Sequence, residues 1–264
     1  MSQRNILVLG CGWVGEELVK RHVRLGDRIW ATTTNEEKRR RLLDDGVEAI
    51  THDFDAEQEL LISHQVHFDF VVVSVPATRR LSVEEVKQRF GRIREALSEL
   101  DYGKMLFLSS VGIYPDLTGR YDESYSERSL MDANLYAAEI LLQKLPNTIV
   151  FRLGGLFGKD RIFAKYFQNR VCQTGEQLAN FVHLDDVLNL MEKVSNIDIP
   201  LGVYNVVAPV HPTKKEVILA SAKRYHFDVP SRFESKNDFK KYVTSEKIIN
   251  LLNYDFKYPS PLGF

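Results

Sequence analysis

The chain has few cysteines, a balanced charge and only short apolar runs, and each of these excludes a class of protein. Its two cysteines, Cys11 and Cys172, form neither a disulfide framework nor a zinc site, and we expect a reducing, cytoplasmic setting. The formal net charge of −1 offers no basic surface to a nucleic acid. No apolar run approaches the length of a membrane span, and the His, Asp and Glu residues show no metal-site spacing.

The most informative segment is a G-x-G-x-x-G turn that directly follows the apolar run Asn5–Leu9 and precedes a helical pattern. In such a turn the first glycine permits a tight bend, the second lets the backbone approach a pyrophosphate, and the third lets helix and strand pack closely. The exposed N–H groups at the start of the helix attract phosphates. An ordinary turn with incidental glycines is the alternative. The sequence predicts a dinucleotide site built from Gly10, Cys11, Gly12, Trp13, Val14 and Gly15.

Strand and helix patterns alternate along the chain, which is typical of parallel sheets with right-handed crossovers. The continuous apolar run Phe68–Val75 indicates a strand buried on both faces. We predict an α/β fold: a Rossmann-type doubly wound parallel sheet over residues 1–158, with a small C-terminal α/β substrate-side subdomain over 159–264 that is interleaved with the core. Other predicted elements are strands at Arg28–Thr32 and Thr148–Leu153 and helices at Val83–Leu100, Leu135–Leu145, Phe163–Cys172, His183–Val194 and Lys214–Tyr225.

The end of the second strand bears on which cofactor is bound. NAD-specific folds place an acidic residue there to bind the ribose hydroxyls, whereas this chain has Thr33, Thr34 and Asn35, followed by Lys38 and Arg39. Hydroxyls and cations suit a 2′-phosphate, because charge-assisted hydrogen bonds to phosphate are strong. The pattern favours NADP, with NAD as the alternative. In the other interpretation Thr34 or Asn35 caps the next helix and the cations face water.

Two further segments follow strands and are predicted to contact the adenosine half of the cofactor. Asp53, after the predicted strand Val47–Ile50, can accept a hydrogen bond from the adenine amino group. Ser74, Val75 and Pro76 end the fourth strand, where the chain runs beside the ribose. Plain turn chemistry would explain the same residues.

Four segments together carry a family resemblance: the glycine turn, Leu108–Tyr114, Phe151–Gly158 and Phe181–Val187. With them the chain resembles the extended short-chain dehydrogenase/reductase superfamily and, more narrowly, the atypical NAD(P)-dependent epimerase/dehydratase-like proteins. The resemblance covers nearly the whole chain. It implies a homodimer formed through the long helices that begin near Val83 and Leu135.

The resemblance also implies roles for residues at the ends of the predicted strands Lys104–Ser109 and Thr148–Leu153. Ser110 would orient the oxygen of the substrate, and Leu153, Gly154 and Gly155 would contact the nicotinamide. The alternative for Ser110 is a hydroxyl that satisfies the backbone of its own loop.

The catalytic pair of the resembled superfamily is absent from its expected place. Active members carry Tyr-x-x-x-Lys, in which the lysine lowers the pKa of the tyrosine. Counting back from Glu139 puts Met131 at the tyrosine position and Leu135 at the lysine position, and registers that begin at other tyrosines supply no lysine either. An unassisted tyrosine is protonated at neutral pH, so it can donate a proton but is a poor base.

Other side chains could substitute for the missing pair. Tyr114 follows Ser110 on the same loop, and Tyr136 lies on the helix that normally bears the pair. Aromatic packing is the alternative for both tyrosines. We expect the His183 ring to lie beside the site with its hydrogen bonds satisfied, and not to take part directly in the reaction. Asp185 or Asp186 is expected to cap the helix that follows His183.

Two functions are compatible with these residues. The first is an NADP-dependent oxidoreductase or epimerase-like enzyme that acts on a small carbonyl or sugar-type substrate with a degenerate proton relay. The second is a non-catalytic NADP-binding redox sensor or regulatory protein, which would keep the glycine turn and lose the acid–base pair.

Overall fold

The structure is a computed structural model that describes residues 3–264. In the first half of the chain three helices begin at a residue that caps them: the side chains of Asn35, Ser82 and Asp132 accept hydrogen bonds from first-turn N–H groups. The elements are β1 (Asn5–Leu9), α1 (Trp13–Leu25), β2 (Arg28–Thr33), α2 (Glu36–Asp44), β3 (Glu48–Thr51), β4 (His67–Val73), α3 (Val83–Ser98), β5 (Asp101–Ser110), β6 (Gly119–Tyr121) and α4 (Ala133–Leu142).

The second half contains shorter elements. One of its helices starts with a capping box, in which Thr213 and Glu216 each bond to the other's backbone N–H group. The elements are β7 (Thr148–Leu153), β8 (Gly155–Phe157), β9 (Val171–Cys172), β10 (Phe181–His183), α5 (Leu184–Asn196), β11 (Gly202–Val206), α6 (Lys214–Tyr225), β12 (Arg232–Phe233), β13 (Lys241–Val243) and α7 (Glu246–Leu252).

Seven strands form the central sheet in the order β11-β7-β5-β4-β1-β2-β3. Strand β1 pairs in parallel with β2 and β4, β2 pairs in parallel with β3, and β4 with β5. This order confirms the predicted Rossmann-type α/β fold class. Because β1, β2 and β4 are parallel neighbours, their carboxyl ends meet at one edge of the sheet, where such folds bind ligands.

The sheet is held by a core of apolar side chains on β4 and α3. The apolar side chains of α3 that face the sheet, Val86, Phe90, Ile93 and Leu97, are fully buried. They recur at the spacing of one helix face, which is why the sequence predicts this helix. Each such side chain contributes roughly 1.5–3 kcal/mol when it is removed from water.

The internal contacts of the chain divide it into two compact units, each made of three segments. The first unit comprises the chain up to Ser109, Asp132–Phe151 and Met191–Val203. The second comprises Ser110–Met131, Arg152–Leu190 and Tyr204–Phe264. The domain boundary at residue 158 stays a prediction.

The predicted helix at Phe163–Cys172 is wrong. A 3₁₀ turn occupies Phe163–Tyr166, Asn169 adopts a left-handed conformation with φ of 57°, and β9 follows. Strand β9 pairs in parallel with Arg232–Phe233. A partner about sixty residues away along the chain therefore overrides the local helical spacing, as often happens to short segments.

No helix within residues 3–264 is long and apolar enough to cross a membrane. Across the same residues no group of three or more His, Cys, Asp or Glu side chains is placed to hold a metal ion. The homodimer stays a prediction.

Candidate functional site

The three glycines of the turn after β1 have different surroundings. Gly10 has φ of +79°, and a Cβ at this position would lie 2.7 Å from Cγ2 of Val75, so the protein itself requires glycine there. A Cβ at Gly15 would lie 3.1 Å from Cγ1 of Val8, which reflects the close packing of α1 on β1. A Cβ at Gly12 would meet nothing closer than the Gly10 carbonyl oxygen at 3.8 Å. The open space beside Gly12 is therefore available to a ligand.

The turn is fixed against β2, and the start of α1 is left open. The Cys11 N–H donates to the Thr32 carbonyl at 2.7 Å, and the Gly10 N–H donates to the Thr32 hydroxyl at 2.8 Å. Gly12 is the N-cap of α1, and no side chain in the described part of the chain caps this helix. Burial raises the pKa of the Cys11 thiol to about 11, so this cysteine is a packing residue and not a thiolate nucleophile. An uncapped helix start beside open space is suited to bind an anion.

A cavity of about 500 Å³ lies within the first unit, at the carboxyl ends of β1, β2 and β4. Its volume is within the range of small-molecule sites, roughly 300–1,000 Å³. It is lined by Gly10, Cys11, Gly12, Thr32, Thr33, Thr34, Asn35, Lys38, His52, Asp53, Phe54, Asp55, Ser74, Val75, Pro76 and Arg89.

Most of the residues predicted to bind the pyrophosphate or the adenosine half of the cofactor line this cavity. The exceptions are Trp13, Val14 and Gly15, which belong to the first turn of α1, and Arg39 on α2. The cavity therefore collects the segments that follow β1, β2, β3 and β4, as expected when parallel strands end at one edge.

The two cations of α2 differ in what they contact. The Lys38 ammonium lies 3.1 Å from the Cys11 carbonyl oxygen and 3.3 Å from a Glu16 carboxylate oxygen, and its side chain lines the cavity. Arg39 instead makes two hydrogen bonds of 2.8 Å with Glu36. Hydrogen bonds from Arg39 and then from Thr51 lower the pKa of Glu36 to about 2. Only Lys38 of this pair is positioned to meet a ligand in the cavity.

The side chains at the end of β2 also have local partners. Asn35 accepts a hydrogen bond from the Lys38 N–H at 2.7 Å, so it caps α2, as one of the two sequence interpretations predicts. The Thr33 hydroxyl accepts from the Asn35 N–H at 3.2 Å. Thr34 is exposed at the rim of the cavity.

Sequence reasoning missed an ion pair that lines the cavity. Arg89, on α3, donates to the Asp55 carboxylate at 2.7 Å and to the Pro76 carbonyl at 2.8 Å. The Asp53 carboxylate, predicted to bind adenine, accepts from the Asp55 N–H at 2.9 Å. Arg89 thus ties together the loops after β3 and β4. The alternation of strands and helices in the sequence does not predict which side chain in the middle of a helix extends into the cavity.

The residues predicted to act near the nicotinamide belong to the second unit. The Ser110 hydroxyl accepts a hydrogen bond from the Gly112 N–H at 3.0 Å, which is the local role that the sequence left open. Gly154 and Gly155 pack closely against the backbone of Asn180 and the ring of Phe181. A Cβ at Gly154 would lie 2.7 Å from the Asn180 carbonyl oxygen. A Cβ at Gly155 would lie 2.5 Å from the Phe181 ring. Leu153, which precedes them, is buried.

Tyr114 is enclosed and not open to a cleft. Its side chain is 1% exposed, and its hydroxyl accepts from an Arg152 guanidinium nitrogen at 2.9 Å and donates to Asn205 Oδ1 at 2.9 Å. Burial raises the pKa of this phenol. A hydroxyl that is fully enclosed and hydrogen-bonded on both sides holds the local structure together. Tyr114 therefore has a structural role in place of the predicted catalytic one.

The helix that bears the catalytic pair in the resembled superfamily is α4. Glu139, in its second turn, is buried and accepts a hydrogen bond from the Ser109 hydroxyl at 2.5 Å. Leu135, at the lysine position, is buried, and Met131, at the tyrosine position, precedes the helix. Tyr136 is half-buried on the same helix. Of the two tyrosines predicted as substitutes for the catalytic pair, Tyr136 is the one that remains a candidate proton donor.

His183 and the two aspartates after it have structural partners. The Nδ1 atom of His183 accepts from the Asp185 N–H at 3.0 Å, and the imidazole ring stacks on Tyr258 with centroids 3.7 Å apart. Burial lowers the pKa of His183, and its buried Nε2 atom has no hydrogen-bond partner within the described residues. The expected cap from an aspartate is wrong, because the histidine ring fills that place at the start of α5.

The Asp186 carboxylate binds the C-terminal segment of the chain. It accepts from the Tyr254 hydroxyl at 2.8 Å, from the Lys257 N–H at 2.7 Å and from the Tyr258 N–H at 3.0 Å. Its side chain is fully buried. Asp185 is different, because its carboxylate pairs with the exposed Lys257 ammonium at 2.8 Å.

Comparisons with known proteins agree on the fold. No family model matches the chain. Protein YeeZ of Escherichia coli K12 is 26% identical over 278 residues, which covers 98% of both proteins. The Helicobacter pylori ADP-L-glycero-D-manno-heptose-6-epimerase has a TM-score of 0.77 at 18% identity, over 99% of this chain and 94% of that one. The Bordetella bronchiseptica enzyme WbmG, in complex with NAD and UDP, has a TM-score of 0.76 at 16% identity, over 99% and 93%.

The resemblance inferred from four short segments is thus confirmed for the fold across nearly the whole chain. The chain shares a Rossmann-type fold with these solved structures.

Proposed function

We propose that this protein binds NADP(H) at the glycine turn and is an oxidoreductase or epimerase-like enzyme on a small carbonyl or sugar-type substrate. The observation that carries the proposal is the cavity at the ends of β1, β2 and β4, which combines open space beside Gly12 with an uncapped helix start. Such a site suits the pyrophosphate of a dinucleotide. The complex of WbmG with NAD supports the same class of cofactor.

The residues that would hold the adenosine half are those that line the cavity after β2, β3 and β4. Thr33, Thr34 and Asn35 contain no acid that would repel a 2′-phosphate, and Lys38 supplies a cation to it. Asp53 is the proposed acceptor for the adenine amino group. Lys38 is partly neutralised by Glu16, so we expect a moderate preference for NADPH over NADH.

Replacing Lys38 with alanine is expected to weaken NADPH binding about tenfold and to leave NADH binding nearly unchanged. The reason is the loss of one charge-assisted contact to the 2′-phosphate, about 1.5 kcal/mol. Isothermal titration calorimetry with both nucleotides measures the effect. Arg39→Ala is the matched control, because this neighbouring cation pairs with Glu36 outside the cavity. An equal loss in both variants, or for both nucleotides, would contradict the assignment.

Tyr136 is the proposed proton donor to the substrate. The bound nicotinamide would supply or accept the hydride. No lysine occupies the place that lowers the tyrosine pKa in active members, because Leu135 stands there. A protonated phenol can still donate a proton to a carbonyl that is being reduced. The arrangement therefore favours reduction over oxidation at neutral pH.

Replacing Tyr136 with phenylalanine is expected to lower the rate of NADPH oxidation at least about tenfold, a modest effect for general acid catalysis. A panel of carbonyl substrates, followed at the absorbance of the reduced nicotinamide, provides the measurement. Tyr102→Phe is the control: this phenol lies near the start of β5, at the opposite edge of the sheet from the carboxyl ends, and should leave turnover unchanged. Unaltered turnover in Tyr136→Phe would remove this residue from the mechanism.

The second candidate function is an NADP-binding sensor or regulator without turnover. The observation that favours it is the enclosure of the Tyr114 hydroxyl between Arg152 and Asn205, which leaves the chain with fewer groups for proton transfer. Tight NADPH binding with no oxidation on any carbonyl of the panel would support the sensor over the enzyme.

A further inference from the structure

A small cavity in the second unit brings together two lysine side chains that the proposed function does not use. Its volume is about 150 Å³, and it is lined by Val111 and Gly112, which follow Ser110 in the chain. Lys214, the first residue of α6, and Lys241, the first residue of β13, also line it. Positive charge therefore lies beside the segment that is predicted to orient the substrate.

Lys214 donates to a neutral partner and is in salt-bridge contact with no carboxylate of the described residues. Its ammonium donates to Gln177 Oε1 at 2.6 Å, and the Gln177 amide nitrogen donates to the Asn237 carbonyl at 2.9 Å, which fixes the orientation of the amide. No carboxylate between residues 3 and 264 lies within 4.0 Å of this ammonium. Burial, followed by the nearby charge of Lys241, lowers the pKa of Lys214. An ammonium group has three N–H donors, and the Lys214 ammonium donates one of them to the protein.

Lys241 is held in place at the other side of the cavity. Its ammonium lies 2.6 Å from an Asp116 carboxylate oxygen and 3.1 Å from the Tyr114 carbonyl oxygen. The Lys241 side chain is 12% exposed, whereas that of Asp116 is 55% exposed. The two lysines and the one aspartate leave the cavity with a net positive charge.

We propose that this cavity binds a small oxyanion, a phosphoryl or carboxylate group at the end of the substrate, between the ammonium groups of Lys214 and Lys241. A partly buried cation without a salt-bridge partner is stabilised by an anion that reaches it, and charge-assisted hydrogen bonds to an oxyanion are strong. Whole small molecules occupy pockets of roughly 300–1,000 Å³. The cavity therefore accepts an end group and not a nucleotide. The substrate's identity rests on the proposed function, but anion binding does not.

The test is calorimetric titration of the cofactor-free protein with inorganic phosphate and, separately, with acetate at constant ionic strength. Lys214→Met is expected to weaken oxyanion binding at least about tenfold, because it removes a charge-assisted contact. Lys215→Met is the matched control and should bind like the unaltered protein, because the Lys215 ammonium lies over the Phe233 ring at 5.2 Å. Stronger binding of phosphate indicates a phosphoryl end group, and stronger binding of acetate a carboxylate.

Binding of neither anion, or equal binding by Lys214→Met and the unaltered protein, would overturn the proposal. A second measurement on the unaltered protein decides the matter if Lys214→Met does not fold. Phosphate at about ten times its Kd should slow reductive methylation of Lys214 about tenfold and leave Lys215 unaffected, as read by mass spectrometry. NADPH binding should be unchanged in Lys214→Met. Failure of every variant to bind NADPH would count against the proposed function and not against the anion site.

Discussion

Replacing Gly12 with alanine is expected to weaken NADPH binding about a hundredfold while changing the free energy of unfolding by less than about 1 kcal/mol. The added methyl group meets no protein atom closer than 3.8 Å, so the fold accommodates it. It would occupy the open space beside the uncapped start of α1, where a pyrophosphate must approach the backbone. An overpacked contact costs about 1–3 kcal/mol, which corresponds to this loss of affinity. Calorimetry and urea unfolding measure the two quantities.

Gly91→Ala is the control for this experiment. Gly91 lies within α3, and a Cβ there would also meet no atom within 4 Å. Alanine should stabilise the helix by about 0.5–1 kcal/mol and leave nucleotide affinity unchanged. Gly10→Ala would be less informative, because its positive φ and the contact with Val75 disturb the fold itself. Full NADPH affinity in Gly12→Ala would refute the assignment of the cavity to a dinucleotide.

Replacing Asp186 with alanine is expected to lower the free energy of unfolding by at least about 3 kcal/mol. Its carboxylate is fully buried and accepts hydrogen bonds from the Tyr254 hydroxyl and from the N–H groups of Lys257 and Tyr258. Hydrogen bonds to a charged group contribute about 1.5–3 kcal/mol each, and one buried donor and two part-buried donors would lose their acceptor. Urea unfolding followed by circular dichroism measures the change.

The adjacent aspartate provides the matched control for that measurement. Asp185→Ala removes a carboxylate that pairs with the exposed Lys257 ammonium, and exposed ion pairs contribute about 0–1 kcal/mol. If the two variants lost equal stability, the buried acceptor would not be what holds the C-terminal segment.

The part of the fold that depends on local patterns could be predicted from the sequence. Asn5–Leu9, Thr148–Leu153 and Lys214–Tyr225 have the predicted bounds, because each shows its own periodicity and has a turn or cap beside it. The segment Phe163–Cys172 could not be predicted, since its structure depends on pairing with Arg232–Phe233. Short strands that pair with segments far away along the chain show little periodicity in their own sequence.

The same distinction applies to the candidate site. Thr33, Asn35 and Asp53 line the cavity because they follow parallel strands, and that rule can be applied to a sequence. The position of Arg89 depends on how α3 packs, and the enclosure of Tyr114 depends on Asn205, which is 91 residues away. When distant segments set the environment of a side chain, its role can be inferred only from the three-dimensional structure.

The order of synthesis constrains how the first unit can form. This unit includes Met191–Val203, and two carbonyls there, of Val194 and Ile197, accept hydrogen bonds from the Lys104 ammonium at 3.0 Å and 2.8 Å. The side chain of Arg4 likewise donates to Asn196 at 2.7 Å. A nascent chain that has reached only Gly158 lacks these partners. The first unit therefore completes its own contacts on the ribosome only after about half of the second unit has also emerged.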